Sequence, residues 1–176
     1  MIALTLASPA QTRRFARLLA GLLETPALVT VEGELGTGKT TLVRELLRAR
    51  GVRGAITSPS FTLAQSYRGR HGARLHHLDL YRLGRGADVE LFAWDDYIGP
   101  DALTFVEWPA AGSGVLPEPD VRLELEHRTP RSRSARLYGP ADLEGAVAAQ
   151  SSDAGIAVTR HRAVAVTDEA VAAERS

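Results

Sequence analysis

The 176-residue chain contains no cysteine. That excludes disulfides, thiolate nucleophiles and cysteine-ligated zinc, and it leaves a reducing cytosol as the expected compartment. No run approaches the roughly 20 apolar residues that a membrane-spanning helix needs. The opening MIALTLASPAQTRR has neither a basic leader nor a long apolar stretch, so no export signal and no membrane role are expected. Lysine is almost missing as well, because twenty of the 21 basic residues are arginine and Lys39 is the exception. A genome-wide arginine bias explains the twenty, and the remaining lysine is placed where an arginine would not serve. Basic and acidic residues balance at 21 each, so no whole-molecule attraction to nucleic acid or anionic membrane is implied.

What is present fits one folded α/β body. Hydrophobic residues make up 44% and charged residues 24%, ordinary values for a globular domain of this length. Charge is unevenly spread. Residues 1–100 carry 13 basic and 9 acidic side chains, and residues 101–176 carry 8 and 12. Within residues 44–85 there are nine arginines against Glu45 and Asp79, a stretch that is either a solvated face or a surface for an acidic partner or tRNA.

Apolar periodicity predicts strands at 2–6, 27–33, about 61–67, 73–80 and 102–108, and a hairpin from VRLELEH and RSARLYG. It predicts a helix over about 9–24, started by Ser8 and Pro9, and a second after residue 38 that stops at Gly51. Val89, Leu91 and Phe92 mark a helical or irregular stretch. The expected fold is a layered α/β structure with a mixed, mainly parallel central sheet. Residues 1–140 form its domain, and 141–176 a peripheral or partly disordered extension with a short strand at 156–166.

Residues 33–40, GELGTGKT, fit G-x-x-x-x-G-K-[ST] with Gly33, Gly38, Lys39 and Thr40. A strand precedes the pattern and a helix follows it, the setting that a phosphate-binding loop requires. Glycines let the backbone curl so that successive N–H groups point inward, and the helix N-terminus adds its positive end. Lys39 would reach the β- and γ-phosphates, and Thr40 would offer its hydroxyl to Mg²⁺. Guanine-specific relatives carry N-K-x-D, which needs a second lysine, so ATP is the expected nucleotide. Asp79 and Glu107 each end an apolar strand, where a carboxylate can reach metal or water beside the loop. The alternative for either is a strand-end acid facing solvent. His76 and His77 invite a zinc reading, but neighbours on a strand face opposite ways and no third ligand is suitably spaced.

The segments GELGTGKTTLVRELL, SPSFTL, HHLDLYRL, VEWP and VLPEPDV, in this order, resemble the TsaE (YjeE) family of small P-loop ATPases, over about residues 5–137. The resemblance implies a Mg²⁺-dependent ATPase that supports the TsaD and TsaB proteins in forming N6-threonylcarbamoyladenosine in tRNA, with tRNA met through that complex. It implies phosphate binding by Gly33, Gly36, Thr37, Gly38, Lys39, Thr40 and Thr41, with metal contacts from Thr40, Glu107 and Asp79. Lys39, Asp79 and Glu107 are the catalytic set, with Tyr81 and Trp108 beside the site. Residues 58–62 resemble a loop that senses the γ-phosphate, residues 9–12 would lie by the base, and Arg133 with Arg136 resembles a basic element near the phosphates. Two features depart from the family pattern: Ala93 stands where glycine is frequent, and the tail is long. A small-molecule P-loop kinase and a nucleotide-gated binding module with little turnover are the other functions this motif could serve.

Overall fold

A computed structural model describes residues 1–59, 62–83 and 92–160. The chain opens with β1 (Ile2–Leu6) and α1 (Pro9–Leu22). Ser8 caps α1, its hydroxyl accepting the Gln11 N–H at 3.3 Å, and Pro9 occupies the first turn, where its missing N–H has no cost. Next come β2 (Ala27–Glu32) and α2 (Lys39–Ala49). Gly51 ends α2 as expected. At φ +94° it turns the chain so that its own N–H reaches Arg48 O and the Val52 N–H reaches Leu47 O, the paired bonds of a glycine-terminated helix.

An antiparallel pair, β3 (Ala64–Arg68) and β4 (Arg74–Asp79), is followed by β5 (Ala102–Glu107) and the hairpin β6 (Val121–Thr129) and β7 (Ser132–Tyr138). Then α3 (Ala141–Asp153) leads to β8 (Ala157–Arg160). The strand order is β3-β4-β5-β2-β6-β7-β1-β8. The four central strands, β4-β5-β2-β6, run parallel, while both flanks pair antiparallel. The sheet is mixed as anticipated, but its parallel part is confined to the centre. Among the described residues, antiparallel pairings outnumber parallel ones.

Central strands buried on both faces read as continuous apolar runs, and all six residues of β5 are buried. One face carries the larger core. There Phe15 and Leu19 of α1, Leu42 and Leu46 of α2 and Val147 of α3 share a cluster with Val29, Val31 and Phe105. The other face holds Leu28, Leu78, Leu80 and Val106 under Trp94, Tyr97, Trp108 and Leu116.

The helix α3 was not expected. Its alanines and serines bury little, yet Val147, Ala148 and Ile156 join the main core and β8 pairs with β1. Residues 141–160 therefore belong to the folded body, and the strand expected at 156–166 is described as 157–160. Residues 161–176, the expected helical stretch at Val89 and Leu91, and positions 60 and 61 of the expected loop lie outside the described residues. No helix among the described residues is long and apolar enough to cross a membrane.

Candidate nucleotide site

The parallel centre of the sheet creates the site. Strand β2 lies between β5 and β6, and in open α/β sheets ligands occupy the crevice at the carboxyl ends of such strands. The loop after β2 curls there because its glycines take backbone angles that side chains resist: Gly33 at φ +140°, Gly36 at +79° and Gly38 at +100°. Gly33 also has no room for more. A Cβ there would stand 2.3 Å from the Leu125 carbonyl oxygen and 3.0 Å from Thr37 Oγ1. Gly38, in left-handed conformation, is the N-cap of α2 and leaves the first N–H groups of that helix facing the loop.

Lys39 turns back into the loop. Its ammonium donates to the carbonyl oxygens of Gly33 at 2.7 Å and Glu34 at 2.8 Å, and lies 3.7 Å from the Trp108 ring centroid. Burial pulls its pKa down, and the negative charges of Glu107 and Asp79 act in the opposite direction. Thr37 closes the turn internally, its hydroxyl donating to Glu34 O at 2.9 Å.

Both strand-end acids are buried rather than solvent-facing. Asp79 and Glu107 are register partners across β4 and β5, and Glu107 is also level with Val31 at the end of β2. Thr40 Oγ1 donates to Glu107 Oε2 at 2.8 Å, and His77 Nε2 is 2.7 Å from Glu107 Oε1. Asp79 Oδ1 accepts the Tyr81 N–H at 3.2 Å, and Oδ2 accepts the Ser58 hydroxyl at 3.3 Å. The segment expected to sense phosphate thus touches Asp79 at its start. Tyr81 and Trp108 pack ring to ring at 4.9 Å beside the mouth.

A cavity of about 290 Å³ opens between Leu35, Gly36, Gly38, Lys39, Thr40, Thr41, Asp79, Tyr81, Glu107 and Trp108. It gathers most of the residues singled out in the sequence. Arg133 sits outside it but binds the loop, its Nε donating to Thr37 O at 2.7 Å. Arg136 does not join it, because its guanidinium pairs with Glu126 at 2.7 Å and Glu124 at 3.2 Å on the neighbouring strand. Residues 9–12 form the first turn of α1.

Sequence reasoning missed His77 as a member of this site. Only the adjacency of β4 and β5, which local pattern does not reveal, brings it to Glu107. His76, the neighbour of His77 on β4, faces the other way, with Nδ1 2.8 Å from Ser66 Oγ. Thr40 Oγ1 and Glu107 Oε2 are hard oxygen donors already in contact.

The family model described as "Threonylcarbamoyl adenosine biosynthesis protein TsaE" matches residues 6–135. Similar proteins carry the name "tRNA threonylcarbamoyladenosine biosynthesis protein TsaE". One from Streptomyces coelicolor is 42% identical over 116 residues, 65% of this chain and 78% of its own length. Another from Haemophilus influenzae is 36% identical over 116 residues, 65% and 73% of the two chains. A third from Aquifex aeolicus is 35% identical over 135 residues, 76% and 92%. Among solved structures, the crystal structure of Bacillus subtilis YdiB superposes with a TM-score of 0.68 at 22% identity, covering 88% of this chain and 98% of that one. At that identity the likeness establishes the fold.

Proposed function

Because the chain belongs to the TsaE family, which is involved in tRNA threonylcarbamoyladenosine biosynthesis, we propose that it binds and hydrolyses ATP with Mg²⁺. The nucleotide cycle serves a cytosolic complex with the TsaD and TsaB proteins, through which tRNA is met. One observation carries this reading: Lys39, Thr40, Asp79 and Glu107 converge on a single cavity at the mouth of a glycine-built loop and a helix N-terminus.

Each residue then has a task. The inward N–H groups and Lys39 bind the phosphate chain, and the buried ammonium acts strongly because little water screens it. Arg133 stiffens the loop through the Thr37 carbonyl. Thr40 and Glu107 would hold Mg²⁺, which when bound would neutralise charge on the phosphate chain. Asp79, fixed by the Tyr81 N–H and adjoining Ser58, would orient the attacking water and couple it to Ser58. The first turn of α1 is the side on which the adenine would lie.

The test is free-phosphate release by the chain alone and with TsaD, TsaB and tRNA added. Release that rises with the complex supports the proposal. Phosphate transfer to an added hydroxyl compound would make the chain a kinase. Nucleotide-dependent association with TsaD and TsaB but no phosphate release would make it a gated binding module.

A further inference from the structure

His77 has no part in phosphate binding, yet it is fully buried against an acid of the site. Its Nε2 lies 2.7 Å from Glu107 Oε1, and its Nδ1 is buried without a partner. An ionised carboxylate only accepts, so the ring hydrogen of this contact belongs on Nε2. A hydrogen on Nδ1 would be a buried donor with nothing to receive it, whereas a bare lone pair there is the less costly orphan. The contact therefore places a ring hydrogen on Nε2, directed at Glu107.

The register shows why this contact exists. His77 lies opposite Phe105 on β5, so Glu107 is its diagonal neighbour on the same face of the sheet. Held at Oε1 by His77, the carboxylate presents Oε2 to Thr40 Oγ1 at 2.8 Å. A glutamate carries three rotatable bonds, and a single hydrogen bond at Oε2 would leave it free to leave that hydroxyl. Two bonds on opposite oxygens leave it one orientation.

We propose that His77 is the positioning residue for Glu107, keeping Oε2 aimed at the Thr40 hydroxyl and hence at the divalent cation that these two residues would share. This rests on the reading of Thr40 and Glu107 as the Mg²⁺-linked pair. Groups that orient metal-linked side chains commonly matter by 10- to 100-fold in metal affinity or activity, and a contact serving packing alone would show no such selectivity.

The experiment measures the affinity of the full chain for a non-hydrolysable ATP analogue by calorimetry, with and without Mg²⁺, in the native protein, His77→Gln, His77→Leu and Glu107→Ala. A glutamine amide nitrogen reaches about as far as Nε2. His77→Leu is expected to reduce the Mg²⁺ enhancement of affinity about tenfold or more and leave metal-free binding unchanged, whereas His77→Gln retains most of the enhancement. Native Mg²⁺ dependence in His77→Leu alongside its loss in Glu107→Ala overturns the proposal for His77 alone. Equal impairment of the glutamine and leucine variants also overturns it, since packing would then be the cause. Native Mg²⁺ dependence in Glu107→Ala removes the underlying metal reading and the proposal with it. If His77→Leu does not fold, ¹⁵N-histidine NMR of the native chain decides: a proton on Nε2 with bare Nδ1 supports the assignment, and the reverse tautomer defeats it.

Discussion

Replacing Lys39 by alanine removes the ammonium that bonds Gly33 and Glu34 and faces Trp108. Charge-assisted hydrogen bonds contribute about 1.5–3 kcal/mol each, so ATP affinity should fall by about two orders of magnitude. Titration calorimetry checks this, and near-native affinity would refute the role. Glu107→Ala should behave differently, with ATP still bound but phosphate release in the presence of the partner proteins strongly depressed. The place of Lys39 and Thr40, at the end of the glycine-built loop and the start of α2, was legible from sequence because a short local pattern carries it. The burial of Asp79 and Glu107 was not, since an acid after an apolar strand fits a solvated end equally well. His77 was illegible for a related reason: its partner is 30 residues away and becomes a neighbour only once β4 is known to lie beside β5.

At the scale of elements, the loop between β2 and α2 depends on the strand behind it. Gly33→Ala would drive a methyl into the Leu125 carbonyl of β6, and strain of that kind costs about 1–3 kcal/mol. Urea unfolding should show the loss, together with weakened ATP binding. The β3–β4 pair carries a second dependence. His76 is buried, its Nδ1 meeting Ser66 and its ring edge meeting Tyr97. Burial lowers its pKa, Arg74 and Arg68 lower it further, and Asp101 opposes them. Unfolded histidine takes up a proton near 6.5 and this folded one only at lower pH, so the unfolded chain binds more protons in between. Stability should therefore fall as pH drops below about 6.5, and His76→Phe should flatten that slope in unfolding curves measured from pH 7 to 5. The paired strands and both early helices were readable from periodicity and caps. The helix α3 was not, because small residues at its buried positions produce no apolar stripe.

Across the whole molecule, the family match ends at residue 135, whereas the sheet does not. Ending the chain at 139 would take Val147 and Ile156 out of the core and leave β1 without β8 on its edge. At about 1.5–3 kcal/mol for each large side chain, that is a substantial share of a domain's stability. Such a truncation should melt well below the chain ended at 160, and light scattering should report association through the bared strand. The basic stretch noted in the sequence also finds its place at this scale. A cavity of about 740 Å³ is lined by Arg17, Arg48, Arg50, Arg70 and His71 with Glu45. Two of its arginines already have structural work. Arg48 pairs with Glu45, and Arg50 binds the Leu23 carbonyl and Thr25.

The scarcity of lysine has a practical outcome once Lys39 is located. The only side-chain amine in the sequence lies at the proposed phosphate mouth, 4% exposed, and the amino terminus is engaged by Glu144 at 2.6 Å. An amine-selective acylating reagent therefore has one internal target per chain, and the mass added there becomes a footprint of whether the loop is filled.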